Sequence, residues 1–246
     1  ELKHLQTIEF RAPDLGGPIG LNSIIVARDG SELLAVTDIN GGSFVTFGLK
    51  ATDGDRYNIS EAEAYPNIID PDEEDEIVGS TLNRLRGFRG DLLALCRDPS
   101  SDSSIPRVNL QAAVHSGGVY DGHNFRVFHV ESIDHHEPTA VAQLRNGDIM
   151  IAFVRNDGSI SLRIGYVEAD KLREAIVSGG TLDPRIIADL KRRQGFNVGY
   201  QTGLAVREDR RSGQIFVYSM SNDFFLTNFR EDEQPALLTT FEWIPK

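Results

Sequence analysis

The feature that most constrains this chain is a hairpin-like pattern that occurs four times at nearly even spacing. In each case a turn containing glycine lies between two apolar runs of the kind that form strands. A repeat of this length in a chain of 246 residues corresponds to about four units, and internal repeats are typical of arrays and propellers. The turn glycines are Gly30, Gly90, Gly147 and Gly213, which are 60, 57 and 66 residues apart.

The residues around these glycines predict antiparallel hairpins. Asp29-Gly30 and Asn146-Gly147 supply the positive φ that tight turns between antiparallel strands require. The second runs (LLAV, LLALC, IMIAFV and IFVYS) are continuously apolar, which predicts strands buried on both faces. Further strands are predicted at residues 40–49, 124–132, 156–167, 221–229 and 236–244, and less clearly at 100–114.

Four strands per unit, repeated about every 61 residues, predict an all-β fold and within it a β-propeller of about four or five four-stranded blades. The single domain spans residues 1–246. The alternative is a β-sandwich, whose strands seldom repeat at this period. Residues 4–10 are expected to pair with the strand near Trp243, so that both ends of the chain share one blade. The blade-like units span residues 14–75, 76–132, 133–167 and 199–246.

Two stretches depart from the strand pattern. Residues 168–180 and 182–193 predict two short helices, inserted between the third and fourth units. Asp183-Pro184 resembles an N-cap followed by proline at the first helical position, and Gly179 is a candidate C-cap. The acidic stretch 53–76 is predicted to be a long surface loop.

Composition excludes several classes of function. The chain has 25 Lys and Arg against 37 Asp and Glu, with a net charge of −12, which argues against binding a nucleic-acid backbone. The single Cys96 excludes a disulfide framework and a cysteine-based zinc site. No apolar run approaches the roughly 18 residues of a membrane span. Residues 70–76, DPDEEDE, could bind Ca²⁺ but lack the EF-hand glycine and final glutamate, so no cofactor and no metal site is predicted.

Three stretches resemble, in the same order, parts of the sialidase-like β-propellers, the neuraminidase or Asp-box type. In residues 8–38, Arg11-Ala12-Pro13 stands where the family has Arg-Ile-Pro. Residues 137–155 are similar to a blade that opens with glutamate and ends its second strand with arginine. Residues 199–219 are similar to the blade that opens with the family's tyrosine.

The resemblance implies a carbohydrate site. In the family an arginine cluster holds the substrate carboxylate, and a tyrosine activated by glutamate attacks the anomeric carbon. By this resemblance Arg11 and Arg155 would bind the substrate, while Tyr200 and Glu137 would be catalytic. The chain departs from the family in two respects: residues 39–45 lack the acid/base aspartate, and the length suits about four blades where the family has six.

The densest polar cluster is Asp134-His135-His136-Glu137, directly before a predicted strand. A histidine there could act as acid or base near neutral pH, and His136 is a candidate substrate-binding residue. The alternative interpretation is a solvated loop between two units.

The sequence therefore favours a carbohydrate-recognising propeller that binds a glycan or glycoprotein as the receptor-binding module of a larger assembly. An extracellular or virion-associated location would suit this role. One alternative is an active exo-glycosidase of sialidase type. Another is a non-enzymatic propeller with protein partners, in which the insertion at residues 168–193 is the docking surface.

Overall fold

The computed structural model describes residues 1–10, 21–37, 43–52, 56–65, 92–96, 115–120, 125–155, 160–222 and 236–245. These residues form an all-β fold of four four-stranded sheets with one α-helix, which confirms the all-β part of the prediction. None of the helical segments in these ranges has the length and apolar character needed to cross a bilayer.

The strands are defined here in chain order. They are β1 (Leu2–Phe10), β2 (Leu21–Val26), β3 (Glu32–Thr37), β4 (Ser43–Ala51), β5 (Tyr57–Tyr65), β6 (Leu92–Cys96), β7 (His115–Tyr120), β8 (Phe125–Val130), β9 (Glu137–Gln143), β10 (Ile149–Arg155), β11 (Ser161–Val167), β12 (Thr181–Leu182), β13 (Arg185–Lys191), β14 (Tyr200–Glu208), β15 (Ile215–Asn222) and β16 (Ala236–Trp243). The helix α1 (Ala169–Ser178) lies between β11 and β12, and a 3-10 turn (Arg192–Gln194) follows β13.

The chain divides into two compact units, each with two sheets. The first unit comprises Glu1–Gly90 and Asn197–Lys246, and the second comprises Asp91–Phe196. The first unit holds the sheets β2-β3-β4-β5 and β14-β15-β16-β1. The second holds β6-β7-β8-β12 and β9-β10-β11-β13. Neighbouring strands pair in antiparallel fashion, except that β12 pairs with β8 in parallel.

In the first unit both ends of the chain complete one sheet. β1 pairs with β16 from Leu2 opposite Trp243 to Phe10 opposite Ala236, which confirms the predicted pairing. One apolar core is shared by the two sheets of this unit, because residues such as Leu33 and Leu238 belong to the same buried cluster.

Strands of the two sheets in the first unit also contact each other directly. β14 lies against β2, and the Thr202 hydroxyl donates to the Leu21 carbonyl at 2.6 Å. On another side, the Gln6 amide pairs with the backbone of Tyr57 through two hydrogen bonds of 2.9 and 3.1 Å. Polar side chains therefore fix the register between the sheets while apolar ones supply the burial energy.

In the second unit β10 is the buried centre of its sheet. Its residues from Ile149 to Val154 are at most 2% exposed, as the continuous apolar run predicted. β9 lies against β6 of the neighbouring sheet. Leu172 and Ala175 of α1 join Phe128 and Val130 of β8 in one apolar cluster.

Three of the four predicted turn glycines have positive φ between paired strands. They are Gly30 at 77°, Gly147 at 94° and Gly213 at 72°. Gly90 lies outside the described residues, as do residues 100–114 and 223–229 of the predicted further strands. Within the described residues, the strands predicted at 40–49, 124–132, 156–167 and 236–244 are confirmed as β4, β8, β11 and β16, while residues 40–42, 124 and 156–159 lie outside them.

The helix pair is confirmed only in its first half. α1 forms and ends at Gly179 as predicted. The second helix is wrong, because Arg185–Lys191 forms β13, which pairs antiparallel with β11. The β-branched Ile186 and Ile187 suit a strand, and pairing with an otherwise open edge of β11 outweighs the local signal of Asp183-Pro184.

The predicted surface loop at residues 53–76 is also wrong in part. Tyr57–Tyr65 forms β5, the fourth strand of its sheet. The alternating pattern of Tyr57, Ile59 and their polar neighbours is that of a strand with one buried face, and the acidic residues of the stretch obscured it. Residues 53–55 and 66–76, which include DPDEEDE, lie outside the described residues.

Candidate functional site

Polar side chains gather at one end of the sheet β9-β10-β11-β13. Glu137 begins β9, and the residue paired with it, Val154, directly precedes Arg155 at the end of β10. At the same end, Ser161 begins β11 and pairs with Lys191 at the end of β13. We name this the leading end, because the first strand of the sheet begins there.

A tight turn leads into β9 at this end. The backbone groups of Ile133 and His136 exchange two hydrogen bonds of 2.9 and 3.0 Å. The two residues between them have positive φ, 47° for Asp134 and 64° for His135. This is the φ pattern of a type I′ turn, which is unfavourable for residues with a side chain, although Asp and His tolerate it better than most. We call residues 133–136 the β9 turn.

The ring of His136 holds the β9 turn from inside. The side chain is only 2% exposed. Its Nδ1 lies 3.1 Å from the Ile133 carbonyl and 3.0 Å from the Asp134 carbonyl, and since carbonyls only accept, Nδ1 carries the proton. Its Nε2 lies 2.9 Å from the Ser161 hydroxyl, which therefore donates to it.

The electrostatics of this site keep the histidine neutral. Burial lowers the pKa of His136, and the charge of Arg163 acts in the same direction, whereas the backbone carbonyls oppose it. A neutral ring with its proton on Nδ1 is the state that satisfies both nitrogens.

Arg163 connects the β9 turn to β13. Its guanidinium donates to Asp134 at 2.5 Å and lies 3.5 Å from Asp189, which in turn contacts Lys191 at 2.8 Å. The hydrogen bond and charge of Arg163 lower the pKa of the exposed Asp134 carboxyl. The Arg163 Nε is buried and has no hydrogen-bond partner among the described residues.

The Ser161–His136 pair has the spacing of a nucleophile and its base. Both residues are buried, with exposures of 4% and 2%, and the second ring nitrogen faces backbone carbonyls where a catalytic histidine would face a carboxylate. The geometry thus suits a role in holding the turn.

The structure brings three of the predicted site residues to one sheet end. His136, Glu137 and Arg155 all lie at the leading end, where Glu137 and Arg155 are half-buried and make interactions of their own. Tyr200 is half-buried, belongs to the first unit, and begins β14. Arg11 lies outside the described residues.

Sequence reasoning did not single out Ser161 or Asp189, and it placed Arg163 on a strand without a role in the site. Ser161 and Arg163 belong to the strand predicted at residues 156–167, and Asp189 belongs to the segment predicted as a helix. The ion pair between Arg163 of β11 and Asp189 of β13 marks the site. It can be recognised in the sequence only when the pairing of these two strands is known.

Tyr218 and Trp243 are buried in the first unit. Cys96 lies in β6, as predicted. Within the described ranges, no group of three or more His, Cys, Asp or Glu side chains could hold a metal ion.

Comparison of the chain with models of known protein families gave no match, and comparison with curated protein sequences gave none either. The resemblance to sialidase-like propellers therefore stays a prediction.

Proposed function

We propose that the chain is a β-propeller of four blades that binds a glycan or glycoprotein. One observation carries the architecture: in each unit the first strands of the two sheets lie side by side, β2 with β14 and β6 with β9. In a propeller the first strand of every blade lines the central channel next to its neighbours.

The pairing of β1 with β16 supports ring closure. It supplies the fourth strand of the last sheet from the opposite end of the chain. In such a ring the seam would be held by backbone hydrogen bonds, and β1 would take the place of β16 as the edge strand of that sheet.

The residues that would bind the sugar lie where the first strand of a sheet begins. Glu137 and Tyr200 each begin the first strand of their own sheet, and Arg155 ends the second strand beside Glu137. An arginine guanidinium suits the carboxylate of an acidic sugar, and a tyrosine offers an aromatic face with a polar tip.

Glycan-array screening of the full chain, followed by calorimetry with the best acidic oligosaccharide, tests this function. We expect Arg155→Ala to weaken binding about tenfold or more, since that corresponds to one lost charge-assisted contact. Arg145→Ala is the matched control, because Arg145 is exposed in the turn at the opposite end of the same sheet. Absence of binding to every glycan, or equal effects of the two variants, would overturn the proposal.

Hydrolysis is a separate prediction of the sialidase resemblance. Glu137 and Tyr200 belong to different units, and residues 39–45 contain no carboxylate. If the chain is a glycosidase, fluorogenic sialosides are cleaved and Tyr200→Phe abolishes the cleavage. A binding module leaves them intact while still binding the sugar.

A further inference from the structure

We propose that the β9 turn is a proton-operated latch, closed at neutral pH and opened in mildly acidic solution by protonation of His136. The inference does not depend on the proposed ligand. It rests on the hydrogen bonds of the ring, on the backbone conformation of the turn and on the charges that face it.

The closed latch uses every polar atom of the neutral ring. Nδ1 donates to the carbonyls of Ile133 and Asp134, and Nε2 accepts from the Ser161 hydroxyl. These bonds tie the turn to the start of β11. The Asp134–Arg163 ion pair ties it a second time.

The turn needs these ties because its backbone is unfavourable. Asp134 and His135 are consecutive residues with positive φ, a conformation that side chains disfavour. Without the ring and the ion pair, the two residues would relax toward ordinary backbone regions, and the paired backbone groups of Ile133 and His136 would separate.

Protonation reverses one hydrogen bond and adds an unfavourable charge. The new proton on Nε2 points at the Ser161 hydroxyl, which must turn from donating to accepting. The charged ring is then buried near the like charge of Arg163 on β11.

The remaining charges around the ring give little compensation. From β13, Asp189 attracts the ring but is already engaged by Arg163 and Lys191. From the turn and the start of β9, Asp134 is paired with Arg163, His135 is exposed, and Glu137 has interactions of its own.

The direction of the pH effect follows from the lowered pKa of His136 in the folded chain. The stabilising contribution of the neutral ring is fully present above the ordinary histidine pKa of 6.5. It decreases as the pH falls below that value, because the open state binds the proton more tightly. Opening would release Asp134 from Arg163 and free the start of β9, including Glu137, at the leading end.

Amide hydrogen exchange on the full chain tests the latch. The probes are the amides of Ile133 and His136, which donate within the turn. The internal control is the Asp209 amide, which donates to the Gln214 carbonyl in the β14–β15 hairpin, where no histidine lies. After correction for intrinsic rates, we expect protection of the two turn amides to fall about tenfold between about pH 7.5 and 5.5 while the control amide stays protected.

Two variants assign the effect to one ring. His136→Asn keeps a donor for the turn carbonyls but does not titrate, so the turn amides should lose their pH dependence. His135→Asn removes the exposed neighbour and suits positive φ, so the pH dependence should persist. In the unaltered chain, the ¹⁵N shifts of the His136 ring should show a proton on Nδ1 and titrate below the ordinary histidine pKa of 6.5, which keeps the test valid if His136→Asn fails to fold.

Three results would overturn the latch. One is equal loss of protection in the control hairpin, which indicates general unfolding. Another is a pH response that persists in His136→Asn or vanishes in His135→Asn. The third is a His136 ring that titrates at or above the ordinary histidine pKa of 6.5 in the folded chain.

Discussion

Two sheets with the same plan obtain their fourth strand in different ways. The sheet β9-β10-β11-β13 in the second unit takes it from the next part of the chain, after the excursion through α1 and β12. The sheet β14-β15-β16-β1 in the first unit takes it from the opposite end of the chain. One sheet is completed locally, and the other is completed by a contact between residues more than 200 positions apart, such as Leu2 and Trp243.

The difference lies in which interactions hold the added strand. β1 is held by backbone pairing, by packing of Leu5 and Ile8 against the core, and by the Gln6–Tyr57 bonds. β13 follows a helix whose start is fixed by a carboxylate from the β9–β10 turn: Asp148 accepts hydrogen bonds from the Ala169 amide and the Tyr166 hydroxyl. Closing a long loop costs more chain entropy than closing a short one. β1 therefore needs to bury more apolar surface than β13 to stay paired.

Deletion of residues 1–10 should have the largest effect, a loss of about 4–5 kcal/mol in the free energy of unfolding, because two apolar side chains leave the core and β16 becomes an edge. Urea denaturation followed by tryptophan fluorescence reports it through Trp243. A synthetic peptide of residues 1–10 should restore part of the stability. An unchanged midpoint after deletion would show that β1 does not hold the last sheet.

Asp148→Ala tests the local closure. Burial raises the pKa of Asp148, but hydrogen bonds from Tyr166, the Ala169 amide and Asn146 outweigh it and keep the carboxyl ionised. We expect the free energy of unfolding to fall by about 3 kcal/mol, since three donors, two of them half-buried, lose their acceptor. Asp148→Asn, which keeps an acceptor for Ala169, should lose less.

The pH profile gives a further check on Asp148. Because its pKa is lowered in the folded chain, its contribution is present above the ordinary value of 3.8 and declines as the pH falls below it. The difference in stability between the unaltered chain and Asp148→Asn should therefore narrow in acid. A difference that is constant with pH would contradict the assigned role.

Gly165→Ala should have a smaller effect. A Cβ at Gly165 would lie 2.7 Å from the Pro184 Cβ and 3.0 Å from Phe153, whereas one at Gly203 in the other sheet would lie 3.1 Å from Ile24 and Met220. The proline ring can move less than the Ile24 side chain. We therefore expect the free energy of unfolding to fall by about 2 kcal/mol for Gly165→Ala and by about 1 kcal/mol for Gly203→Ala. Thermal unfolding of both variants shows which substitution costs more stability. A larger loss for Gly203→Ala than for Gly165→Ala would refute the tighter packing of β11 on the segment before β13.

The local features of the fold were predictable from the sequence. Asp29-Gly30 and Asn146-Gly147 predicted their hairpins, and Gly179 predicted the end of α1, because turns and caps depend on neighbouring residues. β13 was not predictable in this way. Its helix signal at Asp183-Pro184 is local, but its pairing with β11 depends on residues far along the chain.

The candidate site was predictable only in part. Residues of the Asp134–Glu137 cluster and Arg155 stand at strand ends, so the strand pattern alone placed them. The partners of His136 were not predictable, because Ser161 and Arg163 reach the turn only through the pairing of β10 with β11. Burial of the His136 ring distinguishes the structure from a solvated loop.

The proposed propeller is tested most directly by a crystal structure of the full chain. The proposal predicts four four-stranded blades around one channel. Two separate two-sheet sandwiches would contradict the propeller and the binding site proposed on it.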